Sequence, residues 1–478
     1  MYIALGIAAV VIVFIAVLLI RAALFRPASS VTEPGGNISF DNERFRKTLS
    51  EMIKCRTVSS SDKTQEDESE FIKFKDLLPK LFPSVFEKCT VEYPSDRSIL
   101  IRWAGKRSES PTVLMAHYDV VSVVSEGWDK DAFSGEVEDG FLWGRGTLDT
   151  KGTLNGILGA AETLISDGFI PETDMYFAFA GDEEINGYGA SAIVDLFKTR
   201  GIVPGMVLDE GGAVVENVFP GVKKPCALIG IAEKGMLNLE FSYSGNGGHA
   251  SAPPPHTPVG KLSAACVKVE GHPFKASLSV PAAKMFDTLG RHSGFAFKIL
   301  FANIKLFMPL LSMITKKSGG ELNALLRTTV AFTQMEGSKG MNVIPPHASM
   351  VANLRLAPGT TMDDARSYIE KTVSDGDIKL RVIGGMDPSA VSRTDGDGWD
   401  RLENVISEIW PGSLVSPYLM VACSDSRHWG RISDRVYRFS AMALSKEERG
   451  YIHGNNERIP LETLDRTVEF YIRLMKKS

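Results

Sequence analysis

The first apolar block along the chain is unbroken. Residues 2–20 read YIALGIAAVVIVFIAVLLI, with no charge and no breaker. At a helical rise of about 1.5 Å per residue, that length crosses a hydrocarbon core. No Lys or Arg precedes it, it is long for the apolar part of a leader, and no A-x-A site follows. Residues 1–26 are therefore expected to form an uncleaved single-pass transmembrane anchor. Arg21 and Arg26 behind it favour a cytoplasmic C-terminal bulk, whereas the sequon Asn37-Ile38-Ser39 favours the opposite side. The side stays open. Residues 27–39 are rich in Pro, Gly and Ser and read as a linker.

From 40 to 232 short apolar strands alternate with helical patterns. Residues 111–121 (PTVLMAHYDVV), 174–184 (DMYFAFAGDEE) and 205–212 (GMVLDEGG) are buried strands that run into polar residues. Residues 153–168 and 189–199 repeat at helical spacing. This alternation predicts an α/β domain with a mostly parallel central sheet and helices on both faces. Near 233 the period changes. Residues 235–245 alternate like a half-buried strand, a helix follows at 258–270, and strands are expected at 328–337, 348–359 and 378–385. Thr361 caps an amphipathic helix over 361–373. That order predicts an inserted α+β domain of ferredoxin-like type over 233–388. Helix–strand alternation resumes at 389–478, which completes the larger domain and ends in a helix at 461–476.

Composition adds exclusions. The 478 residues are 44% hydrophobic and 23% charged, so the chain is globular rather than disordered. A net charge of -5 argues against a bulk grip on nucleic acid. The five cysteines, Cys55, Cys89, Cys226, Cys266 and Cys423, are widely spaced with no CxxC pair. They indicate neither a disulfide framework nor a cysteine zinc site.

Candidate chemistry collects at strand ends. His117 precedes Asp119 by two residues, so on extended chain both face one way. Asp149 follows a Gly-rich stretch (WGRGTLDTKG), and a carboxylate there can bridge two cations or merely cap the next helix. Asp182, Glu183 and Glu184 crowd three carboxylates that a cation would relieve. Asp209 and Glu210 end another strand, and His453 lies in a Gly/Asn-rich loop. Two histidines with several carboxylates suit Zn²⁺ or a related ion, and a two-metal site in particular.

In order, H-x-D, G-x-x-D-x-K-G, D-E-E, D-E-G-G, G-G-H-A-S and a late H-G-x-N-E resemble the M20 metallopeptidases. The branch they resemble is that of carboxypeptidase S and the N-fatty-acyl-amino-acid synthase/hydrolases. The resemblance spans nearly all of the chain after the anchor. It implies that His117 binds one zinc, Asp119 orients it, Asp149 bridges two ions and Glu183 is the general base. It gives Glu184 and His453 to the second zinc and Asp209 to the first. His249, in the inserted lid and dimerisation domain, would polarise the scissile carbonyl, often across a homodimer. Asn342 and Arg355 resemble positions that bind the oxyanion and the substrate carboxylate, and Arg427 is another carboxylate clamp. For both arginines a structural salt bridge is the competing reading. His428 reads as packing, and His256, His272, His292 and His347 as structural.

The implied enzyme is a di-zinc hydrolase of an amide or peptide bond next to a carboxylate-bearing amino acid. Co²⁺ or Mn²⁺ suits the same ligands. A dipeptidase or short-chain aminoacylase on the same scaffold is the alternative. A non-catalytic receptor is disfavoured because no ligand position is missing. One segment stands outside this chemistry. Residues 295–314 are very apolar, yet Lys298, Lys305 and Pro309 argue against a second span. They predict an extra helix on the lid or at a subunit interface, or a greasy surface for an acyl chain or a bilayer.

Overall fold

The computed structural model describes residues 2–27, 34–124, 126–219 and 221–478. Most of the expected linker, residues 28–33, lies outside them. The apolar run forms a helix, Tyr2–Leu24, whose side chains are almost all exposed. It is long and apolar enough to cross a membrane.

The main body is built on an eight-stranded sheet. Its order is Thr90–Glu92, Ser98–Trp103, Thr173–Ala180, Arg107–His117, Met206–Val215, Val436–Ala443, Cys226–Glu233 and Leu414–Met420. Arg107–His117 runs parallel to both neighbours, as do the pairs Met206–Val215 with Val436–Ala443 and Cys226–Glu233 with Leu414–Met420. The first three strands are antiparallel, and Cys226–Glu233 opposes both Val436–Ala443 and the end of Met206–Val215. The sheet is therefore mixed: four of its seven neighbour pairs are parallel, and the antiparallel edge and the reversed Cys226–Glu233 depart from the mostly parallel sheet the alternation predicted. Parallel neighbours need a long crossover, and no helix separates Met206–Val215 from Cys226–Glu233.

Strand alternation sorts the core into two layers. Leu114, Ala116, Phe177 and Phe179 pack with the helices Asn42–Ile53, Lys151–Ser166 and Leu461–Lys476. Val113, Met115, Tyr176 and Ala178 face Gly189–Arg200 and Trp429. Each large apolar side chain buried this way contributes about 1.5–3 kcal/mol relative to exposure. Helices on both faces leave the carboxyl ends of the strands open, and the site forms there.

A second sheet is antiparallel throughout, in the order Thr329–Glu336, His347–Leu356, Gly235–Ser244, Lys379–Met386. Pro258–Gly271 and Met362–Val373 cover it over a core of Leu239, Phe241, Leu354 and Ile369. Thr361 caps the latter helix in a reciprocal box with Asp364.

The apolar insertion departs from its simplest expectation. Val280–Arg291 leaves the small sheet and packs on the edge strand Leu414–Met420 of the main sheet. Met285, Leu289 and Leu325 join the main core. Residues 295–314 do not make one straight helix. Phe295–Ala302 and Ile304–Ser318 meet at Asn303 with a bend of 104°. Phe295–Ala302 packs on the N-terminal helix.

Candidate metal centre

His117 is the last residue of its strand, in register with Ala180 on the parallel neighbour. The acidic turn after Ala180 therefore rises beside it. Asp119 ties the two together. Its backbone carbonyl lies 2.9 Å from His117 Nδ1. Its carboxylate accepts the backbone N–H groups of Glu183 and Glu184, each at 3.1 Å, and the Ser59 hydroxyl at 2.7 Å. His117 Nδ1 so held leaves Nε2 to face Asp149 and Glu210.

Asp149 stands between the two histidines. Its Oδ1 is 2.9 Å from His117 Nε2 and its Oδ2 2.9 Å from His453 Nε2. Glu184 Oε1 lies 3.2 Å from the same His453 nitrogen. The loop carrying Asp149 is built on Glu457. One Glu457 oxygen accepts the N–H groups of Gly146, Leu148 and Asp149 at 3.0, 2.9 and 3.3 Å. The other pairs with Arg145 at 2.7 Å, and Arg145 also donates to the His453 carbonyl at 3.4 Å. Glu457 and Arg145 are both buried.

The strand Met206–Val215 requires a correction. Asp209 is not among the donors gathered with His117. It is buried, and its Oδ2 accepts the Ser426 N–H at 2.9 Å. Glu210 is among them instead, with Oε1 3.5 Å from His117 Nε2. The pairing with Val436–Ala443 jumps from Asp209 to Gly212, so Glu210 and Gly211 sit in a bulge. A bulge re-aims side chains, and this one aims Glu210 inward. Gly211 has φ of 144°, and a Cβ there would sit 2.6 Å from Arg438 Cβ. The two glycines of DEGG are the sequence signal for that bulge.

The electrostatics are those of crowded acids. Burial pushes Glu183 well above the usual carboxylate range; His117 opposes this, and Asp425, Asp119 and Glu184 add to it. Burial and Asp149 do the same to Glu210. Burial resists ionising Asp149, but His117 and His453 outweigh it and hold its carboxyl well below the usual range. Hydrogen bonds to Asp149 and Glu184 raise His453 to about 10. Asp425, buried beside Glu183, is pushed up to about 8 by desolvation.

This donor set fits divalent metal. His117, Asp149 and Glu184 each place one donor atom within 4.8 Å of the others, and so do His117, Glu183 and Glu210. The mixed nitrogen and oxygen donors suit zinc, and a cation among them would offset both the burial and the acid–acid repulsion that raise Glu183 and Glu210.

Asp149, Glu183, Glu184, Glu210 and His453 line a cavity of about 410 Å³ that also touches Glu321, Tyr418 and Cys423. Arg355 reaches its wall from the second sheet, with Nη1 3.5 Å from Cys423 Sγ. Arg427 donates to the Ser424 carbonyl at 2.9 Å and stands 3.9 Å from Asp425. His249 and Asn342 do not line the cavity. His249 lies on a two-stranded ribbon paired with Val343–Ile344, and Asn342 comes just before that strand; Ala250 donates to the Asn342 carbonyl and His249 bonds the exposed Ser251. The His428 ring is drawn down to about 4 by burial and by Arg427 and Arg431. The cysteines are all free.

Comparison with known proteins decides the family. The profile of Peptidase family M20/M25/M40 matches residues 113–477. The chain is a member of peptidase family M20. It is therefore a hydrolase of a family whose metallopeptidases use a divalent metal, typically zinc. An N-fatty-acyl-amino acid synthase/hydrolase PM20D1 of Xenopus tropicalis is 36% identical over 98% of this chain and 93% of its own length. A probable carboxypeptidase S-like 2 of Dictyostelium discoideum is 34% identical over 90% of this chain and 84% of its own. Among solved structures, an M20 family metallo-carboxypeptidase from Sulfolobus solfataricus has a TM-score of 0.65 at 16% identity, covering 90% of this chain and 98% of its own. Human carnosine dipeptidase 1 has a TM-score of 0.63 at 14% identity, over 91% and 96%. These two share the M20 fold.

Proposed function

We propose that this chain is a membrane-anchored, two-zinc amidohydrolase that cleaves the amide of N-acyl amino acids. The observation that carries the reading is Asp149 between His117 and His453, with a carboxylate oxygen 2.9 Å from each. His117, Asp149 and Glu210 would hold one ion; Asp149, Glu184 and His453 would hold the other. Bound there, the ions supply an acidified water and positive charge for the carbonyl oxygen.

The chain's own residues do the rest. Glu183 takes the proton from the attacking water and returns it to the leaving amine nitrogen. Burial raises its pKa, the direction that favours taking up and holding a proton. Asp119 holds both His117 and the Glu183–Glu184 turn in place. Arg355 grips the free carboxylate of the amino acid at the cavity wall. Arg427, spent on Ser424 and Asp425, is the weaker clamp. His249 and Asn342 are not part of the lining of their own cavity, so they would serve the oxyanion of a second copy in a homodimer. The second sheet then acts as lid and dimerisation unit. Since the catalyst is the same in both directions, the site also joins an acyl acid to an amino acid.

The PM20D1 relative supports an acyl substrate by its name; the carboxypeptidase S-like relative supports a peptide with a free C-terminus. Retention of the N-terminal helix is supported by its contacts. Arg21 donates to the Ala302 carbonyl at 2.8 Å, and Phe25 packs in an aromatic cluster with Phe286 and Phe301.

The test is hydrolysis by the full-length protein of long-chain acyl amino acids, acetyl amino acids and dipeptides. A chelator and Glu183→Gln are the controls. Chelator-sensitive cleavage of acyl amino acids, lost in Glu183→Gln, is expected. Preference for dipeptides would overturn the substrate; no cleavage by folded, metal-loaded protein would overturn the enzyme reading of the site.

A further inference from the structure

Helix Ile304–Ser318 turns an apolar stripe to the outside. Leu306, Leu310, Met313 and Ile314 are 50%, 43%, 65% and 50% exposed. Their spacing of i, i+4, i+7 and i+8 puts them on one side of the helix. The opposite side is seated. Met308 and Leu311 pack on the cluster of Phe286 and Phe301. Arg327 donates to the Ser312 carbonyl at 2.9 Å and to the Thr315 hydroxyl at 3.2 Å. The outward stripe thus belongs to a helix docked on its inner face, not to a loose segment. Lys305, Lys316 and Lys317 are exposed around it.

Position in the fold says what covers the stripe. Asn303 Nδ2 donates to the Leu18 carbonyl at 3.4 Å, and Arg21 donates to the Ala302 carbonyl. Leu18 and Arg21 mark the level where the apolar run of the N-terminal helix ends. The chain bends by 104° at that level, and Ile304–Ser318 leads away from it. If Tyr2–Leu24 crosses a bilayer, the bend lies at the membrane surface. The stripe is then continuous with the anchor's own apolar surface. Lysines on long stems can bury their methylenes and keep their ammonium groups among lipid phosphates.

We propose that helix Ile304–Ser318 lies in the plane of the bilayer surface, with Leu306, Leu310, Met313 and Ile314 in the acyl region. This rests on the anchor reading of Tyr2–Leu24. The protein is then held by two elements, one spanning and one in-plane. The next helix, Gly320–Leu326, carries Glu321 into the wall of the metal cavity. The in-plane helix thereby holds the catalytic cavity close to lipid.

The experiment uses the full-length protein in phosphatidylcholine–phosphatidylglycerol vesicles carrying a diazirine phospholipid, with adducts mapped by peptide mass spectrometry. Adducts are expected on both 2–24 and 304–318. In Leu310→Asp/Met313→Asp, those on 304–318 should fall about tenfold, the scale set by burying such side chains. Adducts on 2–24, and hydrolysis of a soluble acetyl amino acid, should persist. Adducts on 2–24 alone would overturn the in-plane helix and leave the anchor standing. Adducts on neither would overturn both. Crosslinks between copies through 304–318 without lipid adducts would give the stripe to a second copy and overturn the proposal.

Discussion

Glu457 accepts the backbone N–H of Leu148 at 2.9 Å, one residue before the carboxylate that both histidines face. With the Gly146 and Asp149 amides on the same oxygen, a single buried carboxylate shapes the Asp149 loop. Glu457→Gln keeps the volume but removes the charge that balances Arg145 and draws three N–H groups. Support of this kind is typically worth ten- to a hundredfold in metal affinity. A zinc competition titration of Glu457→Gln should show a loss of that order, with a lower melting temperature.

Glu183→Gln tests the base. The amide fills the same space and keeps the backbone N–H on Asp119. It cannot carry a proton, so kcat should fall by about 10²–10⁴ with KM little changed. Metal content by plasma mass spectrometry should stay near that of the parent.

Glu210 and Asp209 separate site from scaffold. Glu210→Gln should weaken metal binding by about tenfold or more while leaving the fold intact. Asp209→Asn should act on stability instead, because it disturbs the buried acceptor of the Ser426 amide. A loss of about 1–3 kcal/mol is the scale for such a bond. Zinc content and denaturant midpoints on both variants check the assignment.

Arg355→Ala should raise KM about tenfold or more for substrates with a free carboxylate, the scale of a charge-assisted hydrogen bond. An ester of the same substrate should be turned over alike by both proteins. Steady-state kinetics on the acid–ester pair read this out.

Lys234 links pH to the junction of the two sheets. Its ammonium donates to the carbonyls of Ala324 and Arg327 at 2.9 and 2.8 Å. Burial, with Arg355 nearby, lowers its pKa from 10.5 to about 7. Between those values the unfolded chain binds a proton that the fold does not. The Lys234 contribution to stability therefore rises with pH across that window, and is smallest below about 7. Lys234→Met should lack that rise. Melting curves from pH 7 to 9 should show the parent gaining on the variant.

Most elements were legible because their side chains obey one period each. The strand ending at His117 and the Thr361-capped helix are local patterns of apolar spacing and capping. The carboxylates of the DEE turn stood out because like charges rarely gather without cause. Glu457 closes the H-G-x-N-E motif, but its role is not legible there, because its partners are backbone amides more than three hundred residues away. Asp425 carries no local signal either: what marks it is its burial beside Glu183, which comes from a distant part of the chain.

The amino-acid order by itself determined the anchor-like helix, the alternation that builds the α/β body, and the His, Asp and Glu residues offered for metal. Those depend on local spacing and residue chemistry. Only the tertiary structure decided that Glu210 and not Asp209 faces His117, because a bulge opposite Arg438 changes which side chain points inward. It also decided the mixed sheet, the bend at Asn303 and the absence of His249 from the lining of the cavity. Strand direction, register and the path of an insertion depend on which distant segments pair, and residue periodicity does not encode that choice.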